Sequence, residues 1–376
     1  MNVLTSAPAW AATRAGAVLT VNLDAIASNY RTLRKMCGDT ACAAVVKADA
    51  YGLGAAQVAP ALERAGAQEF FVAHVDEGIE LRRYITPLCR ITVLHGPRPA
   101  ATRDCVRHSL RPVLNSPEQI EAWRQEAVHQ GHPLDAVIQI DTGMSRFGLS
   151  PAQFRSLAEE PSLLAGIDVS LLMSHLACAD APRNEANIMQ RQRMRDASAL
   201  MPGLSVSLAA SSGIFLGSDY HFSLVRPGAA LYGIAPNAEL AVNPLLPVLR
   251  LSARVLQIRT IGAGEGAGYG LTDRAQVPRR AAVVAIGYAD GLTRHAAGEG
   301  CAWFGSTRLP ILGRVSMDSV IVDISDVPEQ ALTQDMLVDL IGPHYGVDDA
   351  AQAAGTIGYE VLTSLGRRFH RDYIAS

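Results

Sequence analysis

The sequence has no long apolar run and no surplus of basic charge. No apolar stretch approaches the roughly 20 residues that a membrane-spanning helix needs. The 33 Lys+Arg face 36 Asp+Glu, a formal net charge of −3, whereas a nucleic-acid binder or a protein of anionic membrane surfaces needs a basic patch. Residues 1–17 lack the basic cluster and apolar run of a signal peptide. We therefore expect a cytoplasmic protein with no nucleic-acid or membrane partner.

Cysteine is scarce, and the sequence lacks the spacings typical of metal sites. The six cysteines include no Cys-x-x-Cys pair, which in a chain of this size predicts reduced thiols. The ten histidines show no His-x-x-x-His spacing, so we predict no metal. A Gly-x-Ser-x-Gly elbow and a Walker loop are also missing. With 376 residues, 49% of them hydrophobic, the chain is long enough for two or three domains with a sizeable core.

Apolar runs alternate with helical periodicity between residues 20 and 235. Eight such runs are separated by predicted helices, among them Asp24–Cys37, with Asp24 as N-cap, and Glu185–Leu200. Strands that alternate with helices form a parallel sheet, and eight units favour an α/β fold of the (β/α)8 TIM-barrel type. An open doubly wound sheet is the alternative. The apolar runs are Ala43–Val46, Phe70–Ala73, Ile91–Leu94, Pro112–Leu114, Ala136–Ile140, Asp168–Met173, Ser205–Ala209 and Leu224–Tyr232.

The pattern changes after about residue 240. Four β-rich runs follow, separated by Gly, Pro and Asp turns, and only Gly358–Arg368 looks helical. We predict a barrel domain over residues 20–240 and a mainly antiparallel β domain over residues 241–376. Residues 1–19 are a candidate for one further strand of the second domain, and Leu19–Leu23 could join either domain. The β-rich runs are Val248–Ile261, Ala281–Tyr288, Leu309–Ile324 and Met336–Ile341.

Polar residues stand at the carboxyl ends of the apolar runs, where barrel enzymes place their chemistry. Lys47 directly follows Ala44–Val46, so partial desolvation would lower its pKa and favour an imine-forming amine. A lysine that extends out of the barrel mouth is the alternative. Ser211 is either an anion-binding hydroxyl or an ordinary helix cap. The other residues in such positions are His74, His95, Asn115, Asp141, Arg146 and His175.

Two glycine-containing segments are candidates for phosphate binding. Gly262–Ala267 matches the dinucleotide fingerprint, but no βαβ unit continues after it, so we reject the match. It leaves Tyr269 as a phenol between two glycines. Arg226 begins a segment in which Gly228 gives access to the backbone near the eighth run, a region where barrels often bind phosphate.

Ordered motifs extend over nearly the whole chain, namely Ala44–Gly54, Asp141–Gly148, Ser174–Ala177, Val225–Gly228, Gly268–Gly270, Ile286–Gly291, Gly313–Asp318 and Gly358–Glu360. Together they resemble the motifs of the alanine racemases. Ala44–Gly54 is similar to the segment around the lysine that binds pyridoxal phosphate in that family. The resemblance implies a barrel followed by a β domain, pyridoxal 5'-phosphate as cofactor, alanine as substrate and a homodimer with shared active sites.

The resemblance also implies a role for each matching residue. Lys47 carries the cofactor and works on the α-proton of the D-enantiomer, while Tyr269 of the partner subunit works on that of the L-enantiomer. Arg226 contacts the pyridine nitrogen, and its high pKa keeps that nitrogen largely unprotonated. The remaining roles are phosphate binding by Tyr51, Ser211, Gly228, Ala229 and Tyr359, stacking near the ring and bonding to Arg226 by His175, substrate carboxylate binding by Arg146 and the partner subunit's Met317, and narrowing of the substrate channel by Tyr288.

Two positions depart from the family pattern. Gln139 stands where the family often has a carbamylated lysine that bridges to the arginine matched by Arg146. Because glutamine forms no carbamate, we expect a bound anion such as chloride beside it. Ala210 stands where asparagine is usual, and we expect Ser212 to compensate in part.

Several functions remain open at the level of sequence. A racemase for serine, lysine or arginine would share these motifs. A decarboxylase of similar plan uses a carboxylate at the pyridine nitrogen, and Arg226 argues against it. A single-barrel protein that buffers pyridoxal phosphate resembles the N-terminal half but lacks residues 241–376, and with them Tyr269. Whether the chain supplies D-alanine for peptidoglycan or serves alanine catabolism is also open.

Overall fold

The computed structural model describes residues 11–375, which form 19 strands and 11 helices. Among these residues no helix is both long enough and apolar enough to cross a membrane. The strands are β1 Ala17–Asn22, β2 Ala41–Cys42, β3 Ala44–Val45, β4 Glu69–Val72, β5 Arg90–Val93, β6 Leu110–Leu114, β7 Leu134–Gln139, β8 Ile167–Met173, β9 Ser205–Ser207, β10 Leu224–Val225, β11 Leu249–Ile261, β12 Gly266–Ala267, β13 Asp273–Arg274, β14 Arg279–Val284, β15 Cys301–Phe304, β16 Thr307–Leu312, β17 Val320–Asp323, β18 Leu337–Ile341 and β19 His370–Ile374. The helices are α1 Leu23–Met36, α2 Lys47–Tyr51, α3 Ala55–Arg64, α4 Val75–Leu81, α5 Thr102–Arg107, α6 Pro117–Gln130, α7 Pro151–Glu159, α8 Glu185–Leu200, α9 Ser211–Ile214, α10 Val347–Ala353 and α11 Gly358–Ser364.

The unit formed by Ala25–Leu246 is a closed parallel barrel. Strands β3 to β9 pair in chain order as one parallel sheet. Strand β10 closes the ring, because it pairs in parallel with β2 and is followed by a parallel bridge between Ala210 and Arg226. The amide of Val45 also donates to the carbonyl of Pro227 at 2.9 Å. The predicted barrel is confirmed, and the open sheet is wrong.

Two details predicted for this unit are wrong. The eighth run was expected to extend to Tyr232, but the strand ends at Val225 and Ala229–Tyr232 form a 3-10 turn. Pro227 has no N–H with which to continue the ladder, which explains the early end. Asp24 is not the N-cap of the first helix, because that helix begins one residue earlier at Leu23.

The second unit consists of the described residues up to Asp24 and those from Pro247 onward. Its sheet has the order β14-β17-β16-β15-β18-β11-β1-β19, and only the β1–β19 pair among these is parallel. Strand β1 therefore belongs to this sheet, while residues 1–10 of the candidate strand lie outside the described residues. Two elements of this unit were not expected from the sequence: α10, which is only two turns long, and β19, a partly exposed strand at the sheet edge.

Arg111 on β6 is buried inside the barrel and bonded to three other strands. Its Nε donates to Thr92 Oγ1 and its Nη1 to Ser170 Oγ, each at 3.0 Å, and its Nη2 pairs with Glu69. Ser170 in turn donates to Asp135. Barrel interiors are commonly filled by branched apolar side chains. Here a charged network occupies part of that space, and burial lowers the pKa of Arg111 against the opposing effect of Glu69.

Replacing Arg111 with alanine should destabilise the fold by about 3 kcal/mol, because Glu69 would lose its partner inside the barrel. Arg90→Ala is the matched control. Arg90 lies 3.7 Å from Glu69 and 3.8 Å from Asp135, but half of its side chain is exposed, so its loss should cost below about 1 kcal/mol. Urea unfolding of the two variants measures the difference, and equal losses would contradict the importance of burial.

Candidate active site

Lys47 lies two residues after the end of β3 and begins a left-handed turn. Residues 48–51 all have φ between 53° and 56°, a conformation that residues other than glycine rarely adopt and almost never in succession. Asp49 helps to hold the turn, since its Oδ1 accepts the amide of Ala55 at 2.7 Å. Strained backbone of this kind persists only where the surroundings fix it, and it is common beside reacting groups.

The Lys47 amine is partly buried among other charged groups. Burial lowers its pKa, Arg146 lowers it further, and Glu77 opposes the change. A lysine with a lowered pKa is neutral in a larger fraction of molecules, which makes it a better nucleophile and base. The desolvation expected for a lysine placed directly after an apolar strand is therefore present.

Arg226 follows β10 and is only 3% exposed. Its Nη1 donates to Ser207 and its Nη2 donates to the carbonyl of Ser174 at 2.7 Å. Burial lowers its pKa to about 10, with Glu69 acting in the opposite direction. The guanidinium thus stays cationic at neutral pH and is held in one orientation by two serines.

His175 lies directly after Ser174 in a crowded, positively charged region. Burial lowers its pKa to about 3, and Arg226, Arg146 and Lys47 act in the same direction. Its carbonyl accepts Nε2 of the fully buried Gln190 at 2.9 Å. The imidazole is therefore neutral at physiological pH and its backbone is anchored to α8.

The barrel brings Tyr51, Ser211, Gly228 and Ala229 together. Ser211 Oγ accepts the amides of Gly228 at 2.9 Å and Ala230 at 3.1 Å. A Cβ at position 228 would collide with Tyr51 Oη, so only glycine lets the phenol lie against this backbone. The N-cap of α9 is Ala210 and makes no side-chain bond. Ser211 is thus bound to the loop after β10, and its interpretation as an ordinary helix cap is wrong.

The remaining strand ends differ in what they offer. His95 Nδ1 lies 3.4 Å from His74 Nδ1, and the His95 ring packs 5.1 Å from that of Phe147. Asp141, in contrast, accepts the backbone amides of its own loop, including that of Gly143 at 2.8 Å. The two histidines therefore form a pair at the barrel mouth, whereas Asp141 shapes a loop.

Arg146 and Gln139 are linked indirectly, because both contact Phe147, the residue that follows Arg146 in the chain. Gln139 is buried at the end of β7, and its Nε2 donates to the Phe147 carbonyl at 3.4 Å. The Arg146 guanidinium lies 5.9 Å from the Phe147 ring. Gln139 thus fixes the backbone next to Arg146 and makes no direct bond to its guanidinium among the described contacts.

Four predicted site residues belong to the second unit. Two of them are brought together, since the amide following Tyr288 donates to the carbonyl of Met317 at 3.0 Å. Tyr269 lies in a turn whose flanking glycines have φ of 66° and 76°. Each of the four is between 38% and 67% exposed, and they are Tyr269, Tyr288, Met317 and Tyr359.

Comparison with known proteins places most of the chain within the models of one family. The family model described as alanine racemase, N-terminal domain, matches residues 21–236, and the model described as alanine racemase, C-terminal domain, matches residues 248–373. The chain belongs to the alanine racemase family. The resemblance carried by the sequence motifs is confirmed.

Individual members of the alanine racemase family agree with this assignment over nearly the full length. The chain is 51% identical to a catabolic alanine racemase of Agrobacterium fabrum, over 95% of this chain and 92% of that one. It is 46% identical to an alanine racemase of Brucella canis, over 96% and 94%. The solved alanine racemase of Bartonella henselae with covalently bound pyridoxal phosphate has a TM-score of 0.92 at 40% identity, over 96% and 100%. The biosynthetic alanine racemase of Pseudomonas aeruginosa has a TM-score of 0.89 at 35% identity, over the same shares.

Arg368 is a residue to which the alanine racemase motifs assign no role, although it bonds to carboxylates in two of them. Its Nε donates to Asp290 at 2.6 Å and its Nη1 to Asp318 at 2.7 Å. Asp290 lies in the motif that contains Tyr288, and Asp318 lies in the motif that contains Met317, so one guanidinium ties the two loops together. The signal available in the sequence was a pair of motif carboxylates that lacked an assigned cation.

Removing the titratable ring of His175 should flatten the acid side of the stability curve. The folded pKa of about 3 lies below the ordinary value near 6.5, so the unfolded chain binds the proton first as the pH falls. Native stability should therefore drop by about 2 kcal/mol between pH 6.5 and 5. His175→Gln should abolish this loss of stability between pH 6.5 and 5. His132→Gln, at an exposed position, should leave the loss unchanged. Urea unfolding at each pH, on protein freed of small molecules, measures the free energy of unfolding. An unchanged pH dependence in His175→Gln would refute the lowered pKa assigned to His175.

Proposed function

We propose that this chain is a pyridoxal-phosphate-dependent isomerase that interconverts L-alanine and D-alanine. The observation that carries the proposal is the partly buried Lys47 amine, with its lowered pKa, in the barrel of a chain from the alanine racemase family. The relatives named alanine racemase support the reaction, and the Bartonella henselae structure with covalently bound pyridoxal phosphate supports the cofactor.

The residues of the barrel fit pyridoxal 5'-phosphate. That group has an aldehyde, a phosphate and a pyridine nitrogen, which suit an amine, anion donors and a hydrogen-bond partner. The Lys47 amine would meet the aldehyde. The Tyr51 phenol and the Ser211 hydroxyl both lie next to the backbone at Gly228, where only glycine fits. These two hydroxyls and the nearby backbone amides would hold the phosphate. We propose that Ala229 and Tyr359 complete this phosphate set.

Arg226 and His175 would face the cofactor ring. With a pKa of about 10, Arg226 donates a hydrogen bond at neutral pH without giving up its proton, so the ring nitrogen it meets would stay largely unprotonated. His175 is neutral there because its pKa is about 3, and it would stack near the ring and bond to Arg226. Both residues would orient the cofactor without adding a proton to it.

Racemisation requires two bases on opposite faces of the substrate. Pyridoxal phosphate supplies an electron sink for the charge left when the Cα–H bond breaks. Lys47 would take the α-proton from D-alanine, and Tyr269 of the partner subunit would take it from L-alanine. A proton returned by the base on the far face inverts the centre, so this pair accounts for both directions.

Substrate binding would use residues of both domains. Arg146 and the partner subunit's Met317 would hold the carboxylate, and Tyr288 would narrow the channel and favour a small side chain. We propose that the barrel, residues 20–240, binds the cofactor and that residues 241–376 supply the second base to a homodimer with shared sites. The exposure of Tyr269, at 67%, and of Met317, at 52%, supports this arrangement.

We also propose a cellular location and a physiological role. All six cysteines are free thiols, which supports a location in the reducing cytoplasm. The relatives at 51% identity are named catabolic, which favours alanine breakdown over the supply of D-alanine for peptidoglycan. Deletion of the gene should abolish growth on alanine as sole nitrogen source and create no need for added D-alanine.

Chiral chromatography of L-alanine, L-serine and L-lysine, each incubated with purified protein and pyridoxal phosphate, tests the function. D-alanine formed at least tenfold faster than D-serine or D-lysine would support the proposal. Dominant D-serine or D-lysine would leave the reaction class and overturn the substrate. Absence of any D-product from protein that binds the cofactor would favour a cofactor-buffering protein.

Tyr269→Phe should stop racemisation in both directions and still retain the coloured cofactor. Because Lys47 keeps its place, D-alanine should continue to exchange its α-proton with deuterated solvent, whereas L-alanine should exchange at least a hundredfold more slowly. Lys47→Ala should lose cofactor attachment and exchange of both enantiomers. Tyr84→Phe, at an exposed tyrosine, is the matched control. Equal losses of exchange from the two enantiomers in Tyr269→Phe would speak against the two-base assignment.

We also propose that an anion such as chloride binds beside Gln139 and steadies Arg146. The burial of Gln139 and its bond to the residue next to Arg146 support this position. Replacing chloride by gluconate should raise KM for alanine several-fold with kcat nearly constant, because a loosened Arg146 weakens ground-state binding. Unchanged kinetics, together with a crystal lacking anomalous density at this position, would overturn the proposal.

A further inference from the structure

We propose that Glu77 is a positioning residue for Lys47, because its carboxylate ties the left-handed turn that follows Lys47 to the end of the neighbouring strand. Glu77 lies in the first turn of α4, three residues after His74. The sequence motifs gave it no role. The inference rests on the proposed function of Lys47.

One carboxylate joins two strand ends. Glu77 Oε1 accepts the amide of Ala48 at 2.8 Å, directly after Lys47. Its Oε2 accepts the amides of Ala73 at 2.6 Å and His74 at 3.2 Å, directly after β4. Charge-assisted bonds from a carboxylate to backbone amides are among the stronger hydrogen bonds in proteins. Glu77 is therefore a clamp between the turn after β3 and the start of α4.

The position of the clamp matters for the lysine side chain. The peptide between Lys47 and Ala48 is planar, so fixing the amide of Ala48 also fixes the carbonyl of Lys47. Residues 48–51 hold a disfavoured left-handed conformation, which relaxes unless outside contacts maintain it. Loss of the clamp would let the turn relax and would displace the amine from the reacting atoms, and displacements of about 1 Å already slow catalysis strongly.

Glu77 also opposes the other charges around the amine. Burial and Arg146 lower the pKa of Lys47, and Glu77 raises it. His95 and His175 also face this amine, since Lys47 lowers the pKa of each. Glu77 is thus the carboxylate that acts on Lys47 in this set of cationic and neutral groups, and its removal should lower the pKa of the amine.

The chain offers a direct way to read out this amine, because it contains only two lysines, Lys35 and Lys47. Lys35 is exposed in the last turn of α1. A trace amount of acetic anhydride modifies only neutral amines, and peptide mass spectrometry separates the two sites. Lys35 therefore serves as an internal reference at every pH, and the labelling is done on full-length protein freed of cofactor, because an imine at Lys47 would block the reaction.

The experiment compares the full-length wild type with three variants. Glu77→Gln removes the charge and keeps one acceptor oxygen, whereas Glu77→Asp keeps the charge and shortens its reach. Glu80→Gln, on the same helix and half exposed, is the matched control. In Glu77→Gln the pH midpoint of Lys47 labelling should fall by about one unit, with Lys35 unmoved. In Glu77→Asp the midpoint should move less than half as far.

Turnover of alanine separates positioning from general loosening. Glu77→Gln and Glu77→Asp should each lower kcat about tenfold and change KM less than twofold, because a displaced base impairs the chemical step. A Lys47 midpoint and kcat equal to those of Glu80→Gln would overturn the proposal, and so would a parallel shift of both lysines. If the wild type does not racemise alanine, the proposed function fails, and the labelling midpoints still decide whether Glu77 acts on Lys47.

Discussion

Partly desolvated positive charge at the carboxyl ends of the barrel strands is the constraint on which the site depends. Burial lowers the pKa of both Lys47 and Arg226, because a charged group loses hydration inside a protein. Burial, with the added effect of the neighbouring cations, keeps His175 neutral. A region of this kind favours ligands that bring negative charge. The phosphate of the proposed cofactor and the carboxylate of an amino acid both meet that requirement.

Two carboxylates of the barrel stabilise the positive charges of the site. Glu69, on the first residue of β4, pairs with Arg111 in the barrel interior and also raises the pKa of Arg226. The same strand leads to Glu77 just beyond its other end, and Glu77 raises the pKa of Lys47. One strand therefore connects two carboxylates, each of which stabilises a different cation of the site. Glu69 contributes both to the stability of the barrel interior and to the charge of the site. A substitution in the interior network therefore also changes the pKa of Arg226.

The sequence predicts the barrel because its strands are buried on both faces and give short apolar runs between amphipathic helices. It also predicts the place of Lys47, since the carboxyl end of such a run has a known location in a barrel. It does not predict Glu77 or Arg368, whose partners lie 29 and 78 residues away in the chain. Hydrogen bonds between loops leave no periodic pattern, and the same limit hides Ser207 beside Arg226.

Loop-to-loop contact also bears on the choice of substrate. A Cβ on Gly287 would collide with the carbonyl of Met317, so the loops of Tyr288 and Met317 touch through their backbones. Arg368 bonds to the buried Asp290 in one loop and to Asp318 in the other. Separating the loops would break these bonds and leave a buried carboxylate without its partner, which is costly. If Tyr288 narrows the substrate channel as proposed, the channel can widen only by rotation of that side chain. The preference for a small substrate such as alanine then depends on the rigid backbone of the two loops as much as on the size of the Tyr288 phenol.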